Sequence, residues 1–264
     1  ATSRGALYMV GSCAGFAVMM ALVRLVSAEI HPFVAAFFRS LFGLAFMLPW
    51  LAVAGVGKLG TGRLSMHALR SLLGLAAMLS LFLALSLMPL AEATALTFTA
   101  PLFATIGAAL ILGEQVRLRR WTAALIGFAG ALIILKPGAQ TLQPAALLAL
   151  AAAALIAGAM LSIKALSRTE HPNAIVIIMG LMMTPASLVP ALFVWSTPSA
   201  ATFGWLIALS AAATCGQLCL TRAFAAADAS AVLPFDFSRL VFVSILGFDN
   251  FGERPDPATW LGAA

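Results

Sequence analysis

Hydrophobic residues make up 62% of the 264 positions, charged residues only 9%, and the mean hydropathy is +1.06. About a quarter of the residues in a water-soluble domain are charged, so this composition excludes that class and indicates an integral membrane protein. The formal net charge of +6 does not indicate nucleic-acid binding, because the basic residues stand in short polar breaks between apolar segments. The lipid bilayer is the expected surrounding, with no nucleic-acid partner.

Apolar runs of about 20 residues, the length of a helix that crosses the hydrocarbon layer, recur along the whole chain. The first run is too long for a signal peptide and is followed by more spans. A tenth span begins at 258–264 and is cut off, and the chain starts at Ala1, so residues are expected to be missing from both ends. Nine complete spans are predicted at 6–27, 33–56, 68–88, 92–112, 121–136, 144–166, 174–195, 203–226 and 229–251.

The basic residues in the polar breaks predict the orientation of the chain. Cytoplasmic loops of membrane proteins carry an excess of lysine and arginine. If the N-terminus is cytoplasmic, nine basic residues fall on the cytoplasmic side and three on the other, so this orientation is predicted. Arginine outnumbers lysine twelve to three in an alanine-rich chain, which indicates a GC-rich bacterial genome and the bacterial inner membrane. The nine are Arg4, Lys58, Arg63, Arg70, Arg117, Arg119, Arg120, Lys164 and Arg168, and the three are Arg24, Lys136 and Arg254.

The chain resembles itself at an offset of 139 to 140 residues. Each copy holds five spans, an odd number, so the second copy must cross the membrane in the opposite sense. The prediction is an all-α integral membrane fold of ten transmembrane helices, arranged as two inverted five-helix repeats over 1–138 and 139–264, with the tenth helix truncated. The matching positions are Glu114 with Glu253, Trp121 with Trp260, Arg24 with Lys164, and His31-Pro32 with His171-Pro172.

Inverted halves can exchange conformations and so open a central site first to one side and then to the other. This architecture predicts a carrier, and it leaves open a membrane scaffold without transport activity and an intramembrane enzyme. The sequence has no phosphate-binding glycine loop and no cluster with metal-ligand spacing. Cys215 and Cys219 stand four apart with no further ligand nearby. No enzymatic activity, cofactor or metal is therefore expected.

The stretch ATALTFTAPLFATIGAALILGEQVRLRRWTAALIGFAGALIIL at 93–135 and its counterpart ASAVLPFDFSRLVFVSILGF at 229–248 resemble the EamA family of the drug/metabolite transporter superfamily. The resemblance covers essentially the whole chain. It implies ten helices in two inverted repeats, a central cavity, and transport of a small metabolite such as an amino acid, a vitamin or a nucleoside-like compound. One departure is Asp249-Asn250, which stands where the first copy has Leu110-Ile111.

Ionisable side chains inside a span are costly unless they face a cavity or a partner, so each is a candidate site residue. Arg39 can bind a carboxylate through its two-donor fork, or can be paired or reach the membrane interface. Asp236 and Arg239, three apart on one helical face, can pair with each other or line the cavity. Arg222 stands close to the cytoplasmic end of its span, where it serves the cavity or extends to the interface.

Uncharged hydrogen-bonding residues complete the predicted substrate site. Thr94, Thr97 and Gln217 lie within spans and can bond a ligand, although a threonine in a membrane helix also bonds its own backbone. The cavity is predicted near the middle of the membrane, lined by the third, fourth, eighth and ninth spans among others.

Three carboxylates are candidates for coupling or gating. Asp249 and Glu253 are one helical turn apart and repel unless one holds a proton, so the pair could couple proton movement to transport. One alternative is that the helix end is already in water at 249. The other is that the polar residues were introduced, or misread, at a position that is normally apolar. Glu114 is the counterpart of Glu253 in the first copy, and either tethers a neighbouring segment or gates the cavity.

The mixture of basic and acidic groups within the spans favours an amino acid as the substrate, because it could hold both a carboxylate and an amine. The alternative is riboflavin or S-adenosylmethionine, which needs aromatic stacking surfaces such as Phe98, Phe235 and Phe237. The expected partners are the small metabolite, the lipid bilayer and protons, in a monomer or a homodimer.

Overall fold

The computed structural model describes residues 2–100, 103, 122, 126, 144–227, 232, 235–236 and 238–251. These parts of the chain form helices and no strand, and a short 3-10 turn covers Val56–Leu59. The helices are α1 (Thr2–Val26), α2 (Pro32–Ala54), α3 (Leu64–Leu87), α4 (Leu90–Thr97), α5 (Pro144–Leu166), α6 (Pro172–Phe193), α7 (Ala200–Ala226) and α8 (Ser238–Phe251).

Six of these helices, namely α1, α2, α3, α5, α6 and α7, are long and apolar enough to cross a membrane. Each coincides with one of the predicted spans to within a few residues. α4 begins the predicted fourth span and α8 forms the later part of the ninth, whereas the predicted fifth and tenth spans lie outside the described residues. Ten helices and an inverted repeat therefore stay predictions.

α2 and α6 begin in the same way. His31 precedes α2, and its Nδ1 accepts a hydrogen bond from the backbone N–H of Phe33 at 3.2 Å. His171 precedes α6, and its Nδ1 accepts one from the N–H of Asn173 at 3.2 Å. Proline follows each histidine, where its fixed φ suits the first helical position and its missing N–H leaves no donor unpaired. Two His-Pro pairs that match in the sequence thus have the same structural role.

Basic residues near the ends of α1 and α5 also have matching roles. Arg24 in the last turn of α1 donates from Nη1 to the carbonyl oxygen of Met88, the C-cap residue that follows α3, at 2.5 Å. Lys164 in the last turn of α5 donates from Nζ to the carbonyl oxygen of Ala227, the C-cap residue that follows α7, at 3.3 Å. Each cation thereby bonds one of the carbonyls that a helix leaves unpaired at its C-terminus.

The main helix pairs join the two predicted halves: α1 packs against α7, α2 against α6, and α3 against α5. Gly11 and Gly15 stand four residues apart on α1, a spacing that favours close helix packing in membranes. At Gly15 the approach is tightest, because a Cβ there would lie 2.8 Å from the carbonyl oxygen of Ala212 and 3.0 Å from Cα of Gly216. Backbone meets backbone at this crossing, so α1 and α7 approach too closely at Gly15 to leave room for a side chain there.

Candidate substrate cavity

A cavity of about 130 Å³ lies between α1, α2, α3, α5, α6, α7 and α8. Of the four spans predicted to line a cavity, those that contain α3, α7 and α8 contribute residues to it. The described part of α4 contributes none, and α1, α2, α5 and α6 join instead. Helices from both predicted halves therefore enclose one central space.

Sulfur-containing and aromatic side chains dominate the wall. Methionine is unbranched and polarisable, so it adapts to the outline of a ligand and makes favourable contacts with aromatic rings. Phenylalanine offers a flat face for stacking or edge contacts. This wall is formed by Phe16, Met19, Met20, Met78, Phe82, Met160, Met179 and Met183.

Three polar side chains face this wall without an acceptor of their own. Arg39 comes from α2, Arg70 from α3 and Gln217 from α7. The Nε atoms of both arginines and the Nε2 atom of Gln217 are buried, and none has a hydrogen-bond partner in the described part of the chain. Arg70 is only 3% exposed. A buried donor with no partner is costly, so these three groups are candidates for binding a ligand that enters the cavity.

A fourth polar residue of the cavity, Arg239, is already neutralised. Its Nη2 donates to Oδ1 of Asp236, three residues earlier, and both side chains are buried. Its guanidinium carbon also lies 5.8 Å from the ring centroid of Phe16 and 6.0 Å from that of Phe98, within the range of a cation–π contact. The two possibilities given by the sequence both occur: Arg239 pairs with Asp236 and also lines the cavity.

Residues 3–136 and 143–264 match the EamA-like transporter family. The chain belongs to this family. A riboflavin transporter of Vibrio cholerae is 35% identical over 99% of this chain and 89% of its own length. An S-adenosylmethionine uptake transporter of Rickettsia prowazekii is 33% identical over 89% of this chain and 80% of its own. A pseudopaline exporter of Pseudomonas aeruginosa is 31% identical over 98% of this chain and 91% of its own.

A solved crystal structure shares the fold with a TM-score of 0.73, covering 98% of this chain and 92% of that one at 20% identity. The resemblance to the EamA family drawn from the sequence is confirmed, and the chain is a multi-pass membrane protein of a transporter family. These relatives are named for riboflavin, S-adenosylmethionine and pseudopaline. They give no support to an amino acid, and they favour the alternative of a vitamin or nucleoside-like compound.

Other predicted substrate-binding residues of this EamA-like transporter lie away from the cavity. Arg222 is exposed on α7 and does not line it. Thr94 Oγ1 donates to the carbonyl oxygen of Leu90 at 2.7 Å, and Thr97 Oγ1 donates to that of Thr94 at 2.6 Å. Both threonines thus bond their own helix, which is the alternative that the sequence left open, and neither reaches the cavity.

Arg70 is the cavity residue of this transporter that sequence reasoning missed. The predicted third span begins at 68, so Arg70 stands in its first turn and is counted among the basic residues of the cytoplasmic side. In the structure α3 begins at Leu64, and Arg70 lies in its second turn, facing inward. The available signal is spacing, since Arg70, Gly74, Ala77 and Leu81 follow one another by four, three and four residues along one face of α3.

Of the predicted coupling and gating residues, only Asp249 lies within the described part of the structure. Asp249 is exposed near the end of α8, which agrees with a solvated helix end. Glu114 and Glu253 lie outside the described residues. Proton coupling through these three carboxylates stays a prediction for this transporter.

Two other carboxylates join the predicted halves at opposite ends of α2. In what we term the Glu29 link, Glu29 accepts hydrogen bonds from the backbone N–H of Ser199 at 2.7 Å, from Ser199 Oγ at 3.0 Å and from Thr202 Oγ1. Because Ser199 caps α7, this link holds the turn after α1 against the start of α7.

In what we term the Glu170 link, Oε2 of Glu170 lies 2.5 Å from Nε2 of His67, and Oε1 accepts a hydrogen bond from Thr61 Oγ1. His67 belongs to the first turn of α3. Arg63 adds a hydrogen bond from Nη1 to the carbonyl oxygen of Ala165 at 2.9 Å. The turn after α5 is thereby held against the start of α3.

Proposed function

We propose that this protein carries a flat heteroaromatic metabolite of the riboflavin type across the bacterial inner membrane by alternating access. The observation that carries the proposal is the pairing of an adaptable methionine and phenylalanine wall with hydrogen-bond donors that have no acceptor. A riboflavin ring system presents a large apolar face and several carbonyl and ring-nitrogen acceptors. The wall suits the face, and Arg39, Arg70 and Gln217 suit the acceptors.

The charge of the cavity favours this substrate over S-adenosylmethionine. That compound carries a sulfonium cation and an ammonium group besides its carboxylate, so its net charge is positive and two of its three charged groups are repelled by guanidinium groups. No carboxylate is among the described residues that line the cavity, and Asp236, the partner of the lining residue Arg239, is already bonded to it. Specificity is a difference between two affinities, so a repulsive element against one compound counts as much as an attractive one for another.

The helix packing supports alternating access. The link at Glu29 and the link at Glu170 close opposite ends of the molecule, and the cavity lies between helices of both predicted halves. The matching caps at His31 and His171 support two copies of one unit. Two oppositely oriented copies can interchange their conformations, so that one link opens while the other closes. The cytoplasmic N-terminus rests on the excess of basic residues on that side.

Uptake by the purified full-length protein in proteoliposomes tests the proposal. Labelled riboflavin, S-adenosylmethionine and a panel of amino acids are compared, with and without an imposed pH gradient. We expect saturable uptake of riboflavin, little of the other compounds, and loss of uptake in Arg70→Met. Saturable uptake of S-adenosylmethionine or an amino acid, with none of riboflavin, would contradict the substrate class. Dependence on the pH gradient would support proton coupling.

A further inference from the structure

We propose that Arg39 and Arg70 together bind an oxyanion of the substrate, so that the carrier prefers an anionic flavin-type compound to a neutral one. The inference rests on the proposed function, because it concerns the same cavity, and it adds the chemical class of the group that the two arginines bind. A phosphate ester and a carboxylate both supply this chemistry.

The described residues that line the cavity carry more positive than negative charge. Three arginines line the cavity, and Asp236 neutralises only Arg239. Within the described residues, neither Arg39 nor Arg70 has an ion pair or a hydrogen bond to a carboxylate. Arginine keeps its proton in proteins, so the two guanidinium groups leave the cavity with excess positive charge. In a largely apolar space this excess is costly unless an anion offsets it.

Arg39 and Arg70 differ from Arg239 in having no carboxylate partner within the described residues. All three arginines face one cavity, yet only Arg239 has a carboxylate one turn away on its own chain segment. If the other two had a purely structural role, each would need a comparable partner, since an unpaired buried charge is strongly destabilising. A partner supplied by the substrate meets that need only while the carrier is loaded.

Gly74 leaves room for the Arg70 side chain. Gly74 lies one turn further along α3, and a Cβ at that position would be 2.9 Å from Nη1 of Arg70. Glycine thus allows the guanidinium to lie against α3 and point into the cavity. The planar fork of such a group matches the two oxygens of a carboxylate or phosphate, and the Gln217 amide adds a neutral donor beside it.

Binding to the purified full-length protein in lipid nanodiscs tests the inference. The fluorescence of riboflavin and of riboflavin 5′-phosphate is titrated against the wild type, Arg39→Gln and Arg70→Gln. We expect the phosphate ester to bind roughly tenfold to a hundredfold more tightly than riboflavin, as for a buried charge-assisted bond. Each substitution should weaken binding of both flavins, and should remove most of that advantage because the affinity for the phosphate ester falls by the larger factor. Arg168→Gln is the matched control, because Arg168 is exposed in the turn after α5.

A second variant, at Gly74, keeps the positive charge of Arg70 and displaces its guanidinium group. Gly74→Ala places a methyl group against the Arg70 guanidinium, and we expect it to reduce the advantage of the phosphate ester as Arg70→Gln does. Equal binding of the two flavins to the wild type would overturn the inference. So would an equal loss of affinity for both flavins in Arg70→Gln and Gly74→Ala.

A measurement without flavin separates this inference from the proposed function. Inorganic phosphate and acetate are added to the wild type and Arg70→Gln, and the Tm is followed. We expect the better-matched anion to raise the Tm of the wild type only, which also identifies phosphate or carboxylate as the source. Stabilisation by the anion in the absence of flavin binding would refute the flavin-type substrate and support the oxyanion site. Flavin uptake that does not respond to added anions or to loss of the Arg70 charge would support the flavin-type substrate and refute the oxyanion site.

Discussion

The Glu29 link and the Glu170 link lie at opposite ends of α2. They are built alike, but their surroundings differ. Each uses a glutamate in a turn between two helices of one predicted half, and each reaches the start of a helix in the other half. Glu29 is exposed, and its partners are two hydroxyl groups and a backbone amide. Glu170 has a side chain only 12% exposed, and its partner His67 is fully buried at 0%.

This difference in burial predicts a difference in strength. An exposed carboxylate exchanges its protein partners for water with little change in free energy, whereas a buried one leaves costly unpaired groups behind when its bonds break. We therefore expect the Glu170 link to be the firmer of the two and the Glu29 link to break more readily. Substitutions test this contrast, beginning at the crossing of α1 with α7.

Gly15→Ala should have the largest effect, because α1 and α7 meet backbone against backbone at this position. The new methyl group would lie 2.8 Å from a backbone oxygen, so the helices must separate. We expect a loss of about 3 kcal/mol in the free energy of unfolding, as for a strongly overpacked core. Thermal unfolding in detergent measures it. Gly204→Ala on α7 is the control, since nothing lies within 4 Å of that position; equal Tm values for the two variants would contradict the close crossing.

Glu170→Ala should have the next largest effect, because it leaves His67 and Thr61 without their acceptor in a buried position. We expect a loss of about 2 kcal/mol, measured by the same unfolding experiment. Glu170→Gln keeps an acceptor and should lose less. Arg168→Ala changes an exposed neighbour and should leave the Tm unchanged. No difference between Glu170→Ala and Arg168→Ala would show that the link does not stabilise this end.

Glu29→Ala should lower the Tm less than Glu170→Ala does, because water replaces the lost hydrogen bonds at an exposed site. The comparison is made in the same detergent and at neutral pH. An equal or greater loss of stability in Glu29→Ala would mean that burial does not decide the relative strength of the two links.

The smallest effect expected is a pH dependence of the Glu29 link. Hydrogen bonds from the Thr202 hydroxyl, and then from the Ser199 backbone N–H, lower the pKa of the Glu29 carboxyl from its ordinary value of 4.5. A lowered folded-state pKa gives a stabilisation that is complete above the ordinary value and is lost as the pH falls through the folded value. The Tm difference between the wild type and Glu29→Gln should thus stay constant from neutral pH down to the ordinary value, then shrink. A difference that grows on acidification would contradict this sign.

The long helices could be predicted because the thickness of the bilayer fixes the length of an apolar run. The boundaries were less certain, and one of them decided a site residue. Starting the third span at 68 instead of 64 put Arg70 in its first turn, at the predicted membrane boundary, although it is a buried cavity residue. Hydropathy averages over a window and cannot show that a helix begins with a polar turn.

The direction in which a side chain points was the second limit. Arg39 and Arg222 both interrupt apolar spans, yet Arg39 lines the cavity and Arg222 is exposed on α7. A helix that is apolar on all sides has no face that marks the inside. Only the packing of α7 against its neighbours determines which of its residues reach the centre. The choice of substrate depends on the same packing, because it brings two unpaired arginines into one space.

The methionine wall has a consequence for how carriers of this kind diversify. Its side chains are unbranched and flexible, so they can settle around ligands of different outline without any shift of the helices that bear them. The shape of the cargo is therefore weakly constrained by this wall, and the few polar groups opposite it impose most of the discrimination. We therefore expect a change of cargo to need substitutions at only a few charged or amide positions, with the packing of the helices kept.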